Sequence, residues 1–246
     1  EIIVSMLTMI PVEIVAINQE HLHATMLYAI ATHPQYQHQG FAAALINYTC
    51  QYLNDNGSPF SVLVPSGPQL FEFYRRLGYQ DGFYIREVSV TRRQIENFAA
   101  ARTIGGSICS ISPEEYNQRR NKFLKGKVHI AYKDQEAAYQ GKLSKQSGAD
   151  IYGLQIEAVS GCAAIERMNS DRILIKELLI PEIFLAAAVR LITELLSAQE
   201  YIVRTPAFTG QSLGGSTRPF AMIRACKEKT PALQSGASGF LGLAFD

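Results

Sequence analysis

Gln37-His38-Gln39-Gly40-Phe41-Ala42 lies between a short apolar run and a helix-like run, and its reading decides the fold. Upstream, Leu27-Tyr28-Ala29-Ile30-Ala31-Thr32-His33-Pro34 reads as a strand stopped by proline. Downstream, Phe41, Leu45, Tyr48 and Tyr52 recur at intervals of four, three and four, which is helical spacing and carries a helix to Asn54. A tight glycine-containing turn therefore feeds a helix N-terminus directly from a strand. The first N–H groups of a helix have no intrahelical partner, and the helix dipole favours negative charge beside them. A diphosphate suits such a place. The alternative is a plain strand-to-helix turn, in which Gly40 supplies only backbone freedom.

The order of elements further along sharpens the reading. Asn56-Gly57-Ser58-Pro59 breaks the helix, and Phe60-Ser61-Val62-Leu63-Val64 reads as the next strand. Leu70-Phe71-Glu72-Phe73-Tyr74-Arg75-Arg76-Leu77-Gly78-Tyr79 then reads as a short helix, with Gly78 suited to the left-handed residue past its end.

Together these segments resemble the GNAT acyltransferase superfamily over roughly residues 1 to 93. Gln37, Gly40 and Ala42 fill its pyrophosphate-loop pattern of Gln/Arg-x-x-Gly-x-Gly/Ala, and the Tyr74 helix with Gly78-Tyr79 resembles its later signature. The Pro65-Ser66-Gly67 turn and the long tail after residue 93 are similar to the enhanced-intracellular-survival group, which carries two fused GNAT-like domains. The fold class this implies is α/β (α+β): two GNAT-like domains, each a mixed twisted sheet flanked by helices. Residues 1–93 would be the acetyl-CoA-binding domain, 94–107 a linker, and 108–246 a degenerate copy ending in a strand tail.

The resemblance also assigns parts. Acetyl-CoA would be the co-substrate, and an acetyl group would pass to a primary amine of a small molecule or a lysine; the alternative is a regulatory GNAT-fold protein that holds CoA without transfer. Backbone groups of Ile30, Ala31 and Thr32 would pair with the pantetheine arm. The turn Gln37, His38, Gln39, Gly40, Phe41 and Ala42 would cradle the diphosphate, with Ala43 beside it. Tyr74 would be the general acid, because a phenol near its ordinary pKa of about 10 stays protonated at neutral pH. The competing reading for Tyr74 is a helix tyrosine packed on a sheet, and Phe71, Phe73 and Tyr79 are expected in the core. The general base stays open among His21, His23, His33, His38 and Glu13. In the resembling group a terminal carboxylate serves as base, and Asp246 would supply it only as a native chain end. Arg75-Arg76 reads as a solvated pair on the helix.

The second interval repeats the order of elements without the turn. Ser112, Pro113 and Glu115 read as a capping box opening a helix. Val128–Tyr132 reads as a strand and Lys133–Gly148 as a surface helix or loop. Ile151–Glu157, Cys162–Met168 and Arg172–Leu179 read as strands, Pro181–Ser197 as a helix and Tyr201–Arg204 as a strand. Leu178-Leu179-Ile180-Pro181-Glu182-Ile183-Phe184 contains no glycine, so no phosphate could approach the backbone closely there, and Glu182 would repel one. Gly105-Gly106-Ser107 is the linker candidate, Thr209–Ser216 a flexible loop, Arg218–Arg224 a strand, and Phe240–Asp246 a docked strand.

Composition bounds the rest. The 246 residues are 47% hydrophobic with a net charge of +1, which offers no general attraction for nucleic acid or an anionic membrane. Cys50, Cys109, Cys162 and Cys226 are scattered, with no CxxC spacing for zinc and no disulfide framework, so reduced thiols and no metal are expected. Leu178–Ile192 is interrupted by Pro181, Glu182 and Arg190 and cannot span a bilayer, and the apolar start lacks the basic flank of a signal peptide. A cytoplasmic protein is expected, with Phe83–Val90 as an edge strand through which copies associate into a homo-oligomer. The chain opens on Glu1-Ile2-Ile3-Val4, which reads as strand interior, so further sequence is expected upstream.

Overall fold

A computed structural model describes residues 2–99, 105–226 and 238–245. In chain order the elements are β1 (Ser5–Val15), β2 (His21–Thr32), α1 (Phe41–Asp55), β3 (Phe60–Leu63), α2 (Pro68–Arg76), β4 (Gln80–Thr91) and α3 (Arg92–Ala99). Then come β5 (Gly106–Ser110), α4 (Pro113–Leu124), β6 (His129–Ala131), α5 (Asp134–Gln146), β7 (Ile151–Ile156), β8 (Val159–Arg167) and β9 (Arg172–Leu179). α6 (Leu185–Leu195), β10 (Glu200–Pro206) and β11 (Ser216–Ala225) follow. Both halves are mixed α/β, as the sequence implies. The two compact units are not consecutive intervals: the described residues of 1–83, 126–131 and 219–239 form one, and those of 84–125, 132–218 and 240–246 the other. Asp246 and residues 100–104 of the expected linker lie outside the described residues.

In the first unit the strands run β11-β3-β2-β1-β6, with β2 and β3 parallel and the other pairs antiparallel. Pro11 pairs with Thr25 on one side, while β6 covers only Glu13–Val15 on the other, so the missing proline N–H leaves no gap in a ladder there. The β1–β2 register slips between Met6 and Thr8, opposite Ala29, whose φ is 50°. This is a β-bulge, which kinks a strand and re-aims its neighbours. Beyond it lie Ile30, Ala31 and Thr32.

Helix α1 covers the expected span but buries a different stripe. Ile46, Thr49, Cys50 and Leu53 face the core with Leu27, Leu63, Tyr74, Tyr79 and Met222. Phe41, Tyr48 and Tyr52 are 38%, 68% and 46% exposed. Two apolar stripes share the helical period, so spacing identifies the helix but not its inner face. After α2, Gly78 adopts φ 85°, and the N–H of Tyr79 returns to the carbonyl of Tyr74 at 3.1 Å, closing the helix as expected.

The second unit carries strands in the order β5-β7-β8-β9-β10-β4. Leu154, Ile156, Ile165 and Ile175 share a core with α6. On the opposite face, the place a Gly153 side chain would occupy is filled by Ile111 and by Arg119 of α4. The linker candidate is corrected here: Gly106 and Ser107 belong to β5 and pair with Ile156 and Gln155. Gly106 is there for close packing, since an added Cβ would lie 2.8 Å from the Gln155 carbonyl oxygen. The expected capping box on α4 is half formed. Ser112 Oγ accepts from Glu115 N at 3.2 Å, but the Glu115 carboxylate turns to Arg119 at 2.6 Å. The Phe83–Val90 run is flanked rather than free: Ile85–Thr91 pairs with β10, and Glu87 accepts from Arg204 and Arg218.

The expected C-terminal strand is not one. Phe240, Leu241, Leu243 and Phe245 are buried, but pairing is confined to isolated bridges at Gly239, opposite Phe83, and Phe240. The segment is held by side chains instead: Tyr132 Oη donates to the Leu243 carbonyl at 2.7 Å, and the rings of Tyr132 and Phe245 meet edge-on. Beneath it lies an ion pair with no exposure at either partner, Arg120 Nε donating to Glu177 Oε1 at 2.8 Å. Burial pushes the Glu177 carboxyl up, opposed by the Arg120 charge. Removing one member of such a pair strands the other charge in a dry site. Glu177→Ala is expected to lower the unfolding free energy by about 3–5 kcal/mol. Chemical denaturation checks this; a change no larger than a surface substitution gives would contradict it.

Candidate functional site

The strand-to-helix turn of the first unit opens on a cavity of ≈ 400 Å³. Its wall is made by Ile30 and Thr32 from the end of β2, by the turn and first residues of α1, and by one face of α2. The sequence folds this way for local reasons. Pro34 starts a single 3-10 turn through Tyr36, capped by His33 Nδ1, which accepts from Gln35 N at 3.3 Å. Gln37 Nε2 donates back to the Thr32 carbonyl at 3.2 Å, fixing the reversal. His38 and Gly40 then take φ of 61° and 85°, which aim the chain into α1.

Gly40 is the N-cap of α1 and supplies no side-chain cap. Its carbonyl accepts from Ala44 N at 2.9 Å, so the helix hydrogen bonds begin one residue beyond Ala43. The N–H groups of Phe41, Ala42 and Ala43 precede that ladder, and no acidic residue stands in the first turn to neutralise the dipole. These are the residues that line the cavity. An added Cβ on Gly40 would meet nothing within 4 Å, so backbone conformation, not crowding within the protein, demands glycine there.

Of the residues singled out from sequence, the cavity brings together Ile30, Thr32, Gln37, His38, Gly40, Phe41, Ala42, Ala43 and Tyr74. It does not include Ala31, whose carbonyl accepts from Ser5 Oγ at 3.1 Å on the β1 side. Nor does it include Gln39, whose amide donates to the Gln35 carbonyl at 3.2 Å. Tyr36, Leu70 and Phe73 are additional wall residues. Leu70, Phe73 and Tyr74 stand at i, i+3 and i+4 on α2, a one-face spacing legible in the sequence. Phe73 packs against the core as expected but is only part-buried, and it also lines the cavity beside Tyr74, with ring centroids 5.1 Å apart.

Tyr74 answers to both readings. It is 6% exposed and packs with Leu27, Ile46, Leu63 and Tyr79, yet it lines the cavity. Its hydroxyl makes no hydrogen bond among the described residues, and burial raises its pKa further above that of a free phenol. Tyr79, behind it, is committed internally through a 2.6 Å hydrogen bond with Ser61 Oγ.

The candidate bases fall in two places. Glu13 and His21 pair at 2.6 Å at the start of β2, nine residues before Ile30. His23 sits beside them, opposite Glu13 in the register. His33 is used as a cap, and His38 is in the cavity wall. Arg75 is paired with Asp81 at 2.8 Å and Arg76 with Glu72 at 3.5 Å.

The corresponding place in the second unit, between β9 and α6, holds an internal anion. Glu182 accepts from the N–H groups of Gly210 and Ser212, both at 2.6 Å. Partial burial works to raise this carboxyl, but the Ser212 and Gly210 donors outweigh it and hold it low. The 209–216 stretch, expected as a flexible loop, is thereby pinned and contains a 3-10 turn over Gln211–Leu213.

Comparison with known proteins agrees with this geometry. Residues 1–82 match the family described as Acetyltransferase (GNAT) domain. No curated protein matches the sequence. A GCN5-related N-acetyltransferase from Kribbella flavida is similar at TM-score 0.65 and 13% identity, covering 91% of this chain and 58% of its own. A GCN5-related N-acetyltransferase from Anabaena variabilis gives 0.65 and 14%, with 90% and 59% covered. Eis1 from Mycobacterium abscessus gives 0.62 and 14%, with 91% and 61% covered. At these identities the likeness is one of fold, and the chain spans about three fifths of the length of those structures.

A residue with a side chain in the left-handed region pays roughly 1–2 kcal/mol. Gly40→Ala is therefore expected to destabilise the first unit by about that amount without a steric clash. Denaturant midpoints check it, and an unchanged midpoint would mean the turn does not require the φ described.

Proposed function

We propose, on the premise that residues 1–82 carry a GNAT domain, that the protein is an acetyl-CoA-dependent N-acetyltransferase whose cofactor occupies the cavity at the α1 N-terminus. The observation that carries the reading is a single convergence. One cavity has a helix start without a side-chain cap at one wall and, at another, a phenol that makes no hydrogen bond among the described residues. The diphosphate of the cofactor would sit against the N–H groups of Phe41, Ala42 and Ala43, where the dipole favours it. The pantetheine arm would run beside Ile30 and Thr32, past the bulge at Ala29 that re-aims the strand. The thioester then lies near Tyr74.

Transfer follows from that placement. Holding the thioester beside an amine makes the encounter effectively unimolecular. The amine nitrogen attacks the thioester carbonyl, the new C–N bond forms, and the C–S bond breaks. The departing thiolate takes the proton of Tyr74, and the proton lost by the amine restores the balance. The acceptor is a primary amine of a small molecule or a lysine side chain, and the reaction suits a protein of the cytoplasm, where acyl-CoA is found.

Acetyl-CoA and CoA, but not ATP, should raise the melting temperature of the chain, since only a ligand of the folded state stabilises it. No shift with either thiol carrier removes the reading. With an amine panel as acceptor, Tyr74→Phe is expected to lower kcat about 10²–10⁴-fold, the range for a lost general acid, with little change in KM for acetyl-CoA. Unchanged kcat would contradict the role of Tyr74, while cofactor binding without turnover on any amine would contradict the transfer itself. Because burial raises the Tyr74 pKa, the acid form persists below that value, and no alkaline loss of activity from this group is expected up to pH about 10.

A further inference from the structure

Away from the cavity, α1 and the end of β11 meet in two adjacent rungs. Asn47 and Cys50 are one turn apart on α1, and Arg224 and Cys226 are two residues apart along the extended chain, so each pair shares a face. In the first rung Arg224 Nη1 donates to Asn47 Oδ1 at 2.8 Å. In the second, one turn further along α1 and two residues further along the extended chain, Cys50 and Cys226 are placed side by side, and each thiol acts on the other's ionisation. The backbone on both sides is fixed: Cys50 lies within the helix, and Cys226 N donates to the Pro59 carbonyl at 2.8 Å. Cys50 is buried at 3% exposure, while Cys226 is part-exposed and gives a small oxidant access to the pair.

We propose that Cys50 and Cys226 form a redox-modification site, converted by a hydroperoxide into a reversible intramolecular disulfide between α1 and the end of β11. The proposal does not rest on the acetyl-transfer reading. The steps balance as follows. The thiolate of the pair attacks one peroxide oxygen, the O–O bond breaks, and the other oxygen leaves as hydroxide or alkoxide and takes a proton. The second thiol then attacks the sulfenic sulfur, the S–S bond forms, and the hydroxyl leaves with the thiol proton as water. Two thiols and one hydroperoxide give one disulfide, one water, and a further water or an alcohol; sulfur is oxidised and the peroxide reduced. A dithiol reductant reverses the change.

The environment favours the first step. The Cys226 donor, with the Arg224 charge and the Tyr79 and Ser61 hydroxyls nearby, draws Cys50 down to about 7 against its burial, so the pair carries a thiolate at neutral pH. Cys109 is exposed, and Cys162 is buried with its thiol pushed up.

The test is a non-reducing peptide map of the full chain after equimolar hydrogen peroxide and a denaturing alkylation quench. The expected product joins the Cys50 and Cys226 peptides, two hydrogens lighter than the separate thiols, before Cys109 is consumed, and it disappears on reduction. Its rate should rise with pH through about 7 as the thiolate forms. Cys226→Ser should abolish the link, and Cys226→Ala, which also removes the donor, should slow peroxide consumption at least several-fold at neutral pH. Cys50 and Cys226 both alkylated while Cys109 is oxidised would overturn the proposal, as would an undiminished rate in Cys226→Ala.

Discussion

Every α-helix starts with N–H groups that its own carbonyls cannot reach, and something must take them up. In α1 no side chain does so, because the N-cap is Gly40 and the first turn holds alanines and a phenylalanine. The surrounding structure serves this arrangement. The reversal after β2 is locked by Gln37 on the Thr32 carbonyl, and positive φ at His38 and Gly40 brings the chain into the helix at the required angle. The bulge opposite Leu7 turns the end of β2 toward the same cavity, and α2 supplies the wall across from it.

In the second unit an anion of the chain's own takes up backbone donors, at a 3-10 turn rather than at the start of α6, which also has no side-chain cap. Where β9 passes into α6, the Glu182 carboxylate already occupies the N–H groups of Gly210 and Ser212. One unit leaves its donors facing a cavity, while the other binds an anion of its own. The buried Arg120–Glu177 pair and the apolar segment through Phe245 over it give the second unit a different organisation at its centre.

Much of this was written locally in the chain. The glycine at residue 40, the proline at 34 and the glycine at 78 act through backbone conformation within a few residues, so their roles were legible without a structure. The face of α1 was not, because Phe41, Tyr48 and Tyr52 carry the same period as Ile46, Cys50 and Leu53, and only packing chooses between them. Strand pairing was likewise invisible. His129–Ala131 pairs with β1 and the end of β11 with β3, across more than a hundred residues, and no short-range signal encodes such partners. Of the wall residues, Tyr74 came from a resemblance, whereas Leu70 and Phe73 were missed, although their i, i+3, i+4 spacing with Tyr74 puts them on one face of α2. Ala31 and Gln39, also named from the resemblance, do not line the cavity: the Ala31 carbonyl accepts from Ser5, and the Gln39 side chain donates to the Gln35 carbonyl.

The central claim, that the open N–H groups at the start of α1 receive the diphosphate of a thiol-bearing nucleotide, is tested most directly by amide NMR of the labelled chain titrated with acetyl-CoA. The account predicts that the largest shifts fall on the amides of Gly40, Phe41, Ala42 and Ala43, with smaller ones at Ile30 and Thr32. Saturable binding that leaves those four amides unmoved would contradict it.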